Sequence, residues 1–348
     1  MFRPSVEKVA LEAGFALMRR SADMTMCCRL LAAPLALLVF LPLLDGDDKP
    51  SSKSLAGRFL RVQRDARGAP TALETAIVRY VPADGKGDVV IDLIGAIHVA
   101  DRGYYEKLNS HMEQYDVVLY ELVAPPGTRI PKGGARDRGN PIALLQKLMQ
   151  SALKLESQTE RIDYTRKNFV HADLSPEQMM EAMKERGEDG FTIALGIAAD
   201  LMRQQNAAER KRKQSPNRFE EEIDLFTMFS DPDAPAKLKR LMAQQFEDME
   251  APGGGLGSTL NNLLIVDRNA ACLKVLKEEL ARGKKKIGIF YGAAHMPDFE
   301  QRLLADFGMK RSDEVWPTAW DIKNQREGDL FEKKKSESRT PDGDKQPR

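Results

Sequence analysis

The sequence predicts an α/β fold in which two related βαβ-type units form a mixed sheet interrupted by a helical insertion. Three observations lead there. Asp88–Ile97 (DVVIDLIGAI) is a nearly continuous apolar run, which suits a strand buried on both faces. Tyr105, Leu108, Met112 and Tyr115 then recur at helical spacing, and Asp116–Val123 (DVVLYELV) is a second apolar run. Strand, helix and strand within about 35 residues make a βαβ unit with a parallel sheet. Lys286–Ala294 (KIGIFYGAA), a helix bearing Phe299, Leu303 and Phe307 on one side, and a strand near Asp313–Ile322 repeat that order. Finally, Gly95-Ala96-Ile97-His98 and Gly292-Ala293-Ala294-His295 echo each other at the strand ends, each histidine is followed by a short helix, and Asp116 and Asp313 each follow the histidine by 18 residues. Both pairs are offset by 197 residues.

Taken from the N-terminus, the first feature is Leu30–Leu44 (LLAAPLALLVFLPLL), preceded by Arg19, Arg20 and Arg29 and followed by Asp45, Asp47 and Asp48. Fifteen apolar residues fall short of the about 20 that span a bilayer and match a signal-peptide core. The basic flank should stay in the cytoplasm, so the rest of the chain is expected to be exported. Residues 1–50 are therefore a signal peptide or an uncleaved anchor in the inner membrane. The nearest residues of cleavage-site type, Ser54-Leu55-Ala56, lie well downstream of the run. Cys27 and Cys28 precede it, the wrong side for a lipoprotein site.

The α/β domain is expected over residues 57–322. Arg58–Arg64 and Thr71–Pro82 read as two strands joined at Arg67-Gly68, the second being rich in β-branched and aromatic residues. Residues 124–140 are a Pro/Gly-rich loop, and the helical insertion covers about 141–250. Within it, Ser175-Pro176-Glu177-Gln178 has a serine cap, a proline at the first helical position and a glutamine at the third. Residues 251–257 (APGGGLG) are a joint, and a long helix follows from about Thr259 to Ala281. Lys323–Arg348 carries 14 charged residues in 26 and too little apolar surface to order itself, so 323–348 is expected to be a disordered tail.

Length and composition bound the partners. The chain has 348 residues, a length typical of about two domains. It is 42% hydrophobic and 30% charged, which is ordinary globular composition. Fifty-three basic residues against 52 acidic ones give a net charge of +1, so the basic excess of a nucleic-acid binder is missing. Cys27, Cys28 and Cys272 make neither a disulfide framework nor a CxxC knuckle. Any histidine chemistry must use His98, His111, His171 or His295.

In open α/β sheets ligands bind beyond the carboxyl ends of the strands, where His98 and His295 both fall. Gly95 and Gly292, three residues earlier, allow close approach of backbone or ligand. Glu121, at the end of the neighbouring strand, is an acid on a buried element and needs a partner. Two imidazoles and a carboxylate at one sheet edge could bind a divalent metal with positions open for water and substrate. On the long helix, Arg268 lies in the apolar stripe of Leu264, Ala271 and Val275, and Asn269 in that of Ile265, Cys272, Leu276 and Leu280. Both should face the core. A buried arginine wants a carboxylate or an anionic ligand, so a structural ion pair and a transition-state clamp are both open. His171, just before a helix cap, is a further candidate, and His111 should face solvent. HExxH, P-loop, GxSxG and dinucleotide-binding fingerprints are not found.

LIGAIHVADRGYYEKL…YDVVLYELV followed by IVDRNAACLKVLKEEL…IGIFYGAAHMPDFEQRLL resembles the TraB/PrgY/GumN and Tiki superfamily. The resemblance runs over about residues 85–310 and rests on Gly95/His98, Glu121, Arg268-Asn269 and Gly292/His295 in that order. It implies a membrane-associated metalloprotease, dependent on manganese or cobalt, acting on an extracytoplasmic peptide. Zinc also suits such ligands. On that implication His98, His295 and Glu121 would hold the ion, while Glu121, Arg268 and Asn269 would serve catalysis, Arg268 at the oxyanion. The wider group resembles erythromycin esterase-like and haem-binding ChaN-like proteins. A metal-free esterase and a non-catalytic peptide- or haem-binding protein are therefore the alternatives. Met296-Pro297-Asp298 departs from the family, which often has a glycine soon after the second histidine.

Overall fold

Asp65 turns the chain into its first hairpin: its carboxylate accepts the amides of Arg67 and Ala69, both at 2.9 Å. The turn joins β1 (Leu60–Arg64) to β2 (Pro70–Thr75) in antiparallel register. The single strand expected over Thr71–Pro82 is broken, because Ala76 separates β2 from β3 (Ile77–Pro82). Ala76 gives its amide to the Phe59 carbonyl at 2.8 Å and receives the Gly95 amide on its own carbonyl at 3.0 Å. The backbone thus passes from a three-stranded sheet to a six-stranded one without leaving a polar group unpaired.

In this computed structural model the described residues are 57–125, 127–133, 150–151, 153–188, 233–250 and 261–323, with Thr192, Gly196 and Ala199 besides. They fall in one of the chain's two compact units, the one formed by residues 43–135 and 150–348. The apolar run 30–44, the 251–257 joint and the tail beyond residue 323 lie outside the described residues. Among the described residues no helix is long and apolar enough to cross a membrane.

After β3 come β4 (Val90–Ala96), the short β5 (Val99–Ala100), α1 (Arg102–Met112) and β6 (Val117–Tyr120). The insertion is not all helix. It contributes β7 (Glu156–Ser157), the single-turn α2 (Gln158–Arg161) and β8 (Phe169–His171) before α3 (Pro176–Glu185) and α4 (Ala234–Glu250). Ser175 caps α3 as its sequence suggests: its hydroxyl accepts the Gln178 amide at 3.2 Å and the Gln178 side chain accepts the Ser175 amide at 2.8 Å. The long helix opens with a π-helical turn (Asn262–Val266) and continues as α5 (Asp267–Ala281). Then come β9 (Lys286–Gly292), a 3₁₀ turn (Ala293–His295), α6 (Met296–Asp306), β10 (Met309–Val315) and β11 (Thr318–Asp321).

The fold is α/β with a mixed sheet. The three-stranded sheet has the order β1-β2-β11 and the six-stranded sheet β10-β3-β4-β9-β6-β8. Strands β4, β9, β6 and β8 are mutually parallel; β3 opposes β4, and β10 opposes β3. Five strands therefore run one way and β3 alone runs back. Alternate residues divide the two faces. Ile91, Leu93, Val117, Leu119, Ile287, Ile289 and Tyr291 form a core with Leu273 and Leu276 of α5 and Phe299 and Leu303 of α6. On the other face Asp92 is buried and held by Arg79, at 2.9 Å through each oxygen, and by the Tyr115 hydroxyl at 2.6 Å. Gly288 makes room for Tyr115 there: a Cβ would come 3.0 Å from Ile94 and 3.2 Å from the tyrosine ring.

The two strand–helix–strand passages are alike in kind and opposite in course. β4–α1–β6 steps over β9, whereas β9–α6–β10 steps back over β4 and β3. Their helices lie on opposite faces, as right-handed crossovers in opposite directions require. Asp116 immediately precedes β6 and accepts the amides of Lys285 and Lys286 at 3.0 and 2.9 Å. Asp313 instead lies inside β10.

Candidate functional site

Four parallel strands end side by side, at Ala96 of β4, Gly292 of β9, Tyr120 of β6 and His171 of β8. Each is followed within three residues by a titratable side chain: His98, His295, Glu121 and Asp173. The carboxyl edge of the sheet is thus where the chemistry-bearing residues gather, with α5 packed behind it.

Glu121 and Asp173 are tied together by Arg268. The guanidinium donates from Nη2 to Glu121 Oε1 at 2.7 Å, and from Nε and Nη2 to the two oxygens of Asp173 at 3.0 and 2.6 Å. Its Nη1 donates to the Leu264 carbonyl, in the π-helical turn, at 3.3 Å. All four of these hydrogen bonds are to the protein. Asp173 also accepts the amides of Leu122 at 2.9 Å and Leu174 at 2.7 Å. The second oxygen of Glu121 accepts the Gly292 amide at 2.8 Å. Arg268 is only 7% exposed. Burial works against its charge, but the two carboxylates outweigh burial and hold it protonated. Burial likewise opposes ionisation of Glu121, yet Arg268 beside it holds the carboxyl well below its ordinary range, with smaller help from His295 and His98. One cation between two carboxylates leaves the group with a formal excess of negative charge.

His295 is 4% exposed and packs its ring on Tyr291, with centroids 5.1 Å apart. Asn269 determines its tautomer. The Asn269 amide nitrogen lies 3.0 Å from the His295 carbonyl and 2.8 Å from Asp298 Oδ2, two groups that can only accept. The amide oxygen must then face His295 Nδ1, at 2.6 Å, so Nδ1 carries the proton in the neutral ring. Nε2 is left with its lone pair and faces Glu121 Oε1 at 3.6 Å, too far for a direct hydrogen bond.

The two GxxH segments are not equivalent. His295 runs straight into α6, whereas His98 sits at a bend between β4 and β5 and is exposed. The cause is local pairing: Val99 and Ala100 pair with Ser157 and Glu156, and the His98 carbonyl accepts the Gln158 amide at 2.9 Å. His98 remains within electrostatic reach of Glu121. The glycines differ too. A Cβ on Gly95 would come 3.2 Å from the Ala76 carbonyl, so that glycine permits the crossing between sheets; at Gly292 the nearest atom would be Glu121 Oε2 at 3.4 Å. His171 ends β8 beside Tyr120, and its Nε2 donates to the Leu122 carbonyl at 2.6 Å. His111 lies away from this edge, half-buried against Tyr115. Asp173 was hidden in the sequence, where FVHADLS reads as the approach to a helix cap. Recognising Phe169–His171 as a strand would have placed it at the sheet edge.

His295 and Glu121 fit a divalent cation as neighbouring ligands. Both offer electron pairs, and two donors about 2.0–2.2 Å from one ion lie roughly 3.3–3.6 Å apart at a tetrahedral angle, which matches their separation of 3.6 Å. Among the described residues no three His, Cys, Asp or Glu side chains are gathered in a metal-holding group. Comparison with protein-family models, curated proteins and solved structures finds no match.

Proposed function

We propose that this edge of the sheet is a metal-dependent hydrolytic centre, of the peptidase type that the TraB/Tiki resemblance implies, acting on an extracytoplasmic peptide. The observation that carries the reading is the facing pair of His295 Nε2 and Glu121 Oε1, 3.6 Å apart. A lone pair turned toward an anionic oxygen at this spacing suits a cation held between them. His295 and Glu121 are the residues that would hold it, with His98 on the adjacent strand end as the third candidate. Manganese, cobalt and zinc all accept imidazole and carboxylate. When bound, such an ion supplies Lewis acidity, polarising a carbonyl and making water nucleophilic near neutral pH.

The protein's own residues prepare that chemistry. Arg268 and the Gly292 amide fix both oxygens of Glu121 and keep it ionised. That favours a ligand over a general base, because a strongly depressed pKa makes a weak base. Asn269 turns the His295 lone pair inward. Arg268 acts in this reading by holding Glu121 in place.

Metal content and peptide-library hydrolysis of the purified full chain test the proposal, with manganese, cobalt or zinc added, for wild type, His295→Ala and His98→Ala. Metal-stimulated turnover that is lost with His295→Ala is expected. Turnover that survives chelation would transfer the chemistry to a metal-free His295–Glu121 pair, and tight binding of peptide or haem without turnover would make the protein a carrier. A reporter fused after Pro50 should be active only outside the cytoplasm if residues 19–48 direct export.

A further inference from the structure

Asn269 can orient His295 only if its own amide is oriented, and an amide side chain is nearly symmetric in shape. What breaks the symmetry is the charge and polarity around it. The His295 carbonyl is one acceptor-only neighbour. The other is Asp298, in the first turn of α6, whose Oδ2 lies 2.8 Å from Asn269 Nδ2. Asp298 is itself fixed by Arg302, one turn along, whose Nε donates to the same oxygen at 2.9 Å. A chain of hydrogen bonds therefore runs Arg302–Asp298–Asn269–His295 and ends at Nδ1. Flipping the Asn269 amide would set its oxygen against a carboxylate and a carbonyl at once.

We infer that Asp298 is a positioning residue: by locking the Asn269 amide it holds His295 in the Nδ1–H tautomer and keeps the Nε2 lone pair directed at Glu121. Its functional weight rests on the hydrolase reading above; the tautomer itself does not. Asparagine at this position would be nearly isosteric with aspartate. Its amide could donate to a flipped Asn269 oxygen, so the second tautomer would gain a partner that aspartate denies it. Glutamate would remain acceptor-only.

The test is nitrogen-15 NMR of the histidine rings in the purified, chelator-treated full chain at mildly alkaline pH, where long-range proton–nitrogen correlations distinguish the two neutral tautomers. Four histidines make assignment tractable, with His295→Gln identifying the signal in question. His111 is an internal reference of opposite sense. The Tyr115 hydroxyl gives its proton to Asp92 at 2.6 Å and so accepts from His111 Nε2 at 2.8 Å. Wild-type His295 should be almost wholly Nδ1–H. Asp298→Asn should lower the ratio of Nδ1–H to Nε2–H by roughly tenfold or more, the effect of one hydrogen bond to a charged acceptor. Asp298→Glu should restore much of it, and His111 should not move. A wild-type Nε2–H form, or a ratio unchanged in Asp298→Asn, overturns the inference. Should Asp298→Asn lose the His111 reference through misfolding, Asp298→Ala is read by the same criterion. No turnover is measured, so a protein without hydrolytic activity would still answer the question.

Discussion

Asp173 and Arg268 meet across 95 residues of chain through two hydrogen bonds, at 3.0 and 2.6 Å, and the Asp173 side chain is fully buried. This pair joins the edge strand β8 to α5. The same guanidinium reaches Glu121 at the end of β6, so one side chain fixes the ends of two strands.

Removing that cation should cost stability first. Arg268→Ala leaves two buried carboxylates without their partner, and breaking a buried pair in this way costs about 3–5 kcal/mol. Urea unfolding should show it as a lower midpoint. Arg268→Lys keeps the charge but lacks the planar fork that serves both acids. Its stability loss should be smaller, and hydrolysis per folded molecule should fall roughly 100-fold from misplacement of Glu121. Unchanged turnover in folded Arg268→Lys would mean that the site does not depend on Arg268.

The motif glycines should respond unequally. Gly95→Ala pushes a methyl group against the Ala76 carbonyl at 3.2 Å, a backbone atom with little room to yield, and overpacking of this kind costs about 1–3 kcal/mol. Gly292→Ala meets only ordinary contact at 3.4 Å and should fold like wild type. Equal melting temperatures for the two variants would contradict the crossing at Ala76.

Acidification should weaken the face opposite α5 and α6. Burial lowers the His111 pKa from its ordinary value of 6.5, so the unfolded chain takes up the proton first. This histidine's contribution is therefore intact above about 6.5 and declines as pH falls below it. Urea midpoints at pH 7.5 and 5.5 should differ less in His111→Gln than in wild type. An identical difference would place the acid sensitivity elsewhere.

The α3 cap offers a simpler measurement. Ser175→Ala removes one half of a capping box two residues after Asp173, and loss of such a cap costs about 1 kcal/mol. Thermal melting should register it, and amide exchange should quicken in the first turn of α3. Unaltered exchange at Gln178 would argue that another acceptor replaces the serine.

The strands that carry the site were legible because they are buried on both faces: β4, β6 and β9 announce themselves as nearly continuous apolar runs. The helical phase of α5 was equally clear, since Arg268 and Asn269 interrupt otherwise apolar stripes. β8 was not legible. Phe169–His171 is three residues long, too short for any periodicity, and its role comes from pairing with β6 rather than from its own composition. Asp173 was lost with it. The break at Ala76 was hidden for a different reason: Thr71–Pro82 has strand character throughout, and only the need to pair in two sheets divides it. The likeness of the two GxxH segments extends to sequence and strand ends but not to the backbone beyond each histidine, because the Val99–Ala100 pairing depends on residues more than 50 positions away.

The placement of β9 between β4 and β6 also sets an order of events during synthesis. While the first half of the chain is emerging, β4 and β6 have no strand to join them, and Glu121 waits for an arginine 147 positions further on. Contacts so distant in sequence form late and slowly. A nascent chain that has not yet reached Arg268 contains Glu121 and Asp173 but neither the cation that binds them nor the imidazole that Glu121 faces. This edge of the sheet is therefore assembled only after His295 has been made, and fragments released earlier do not contain it.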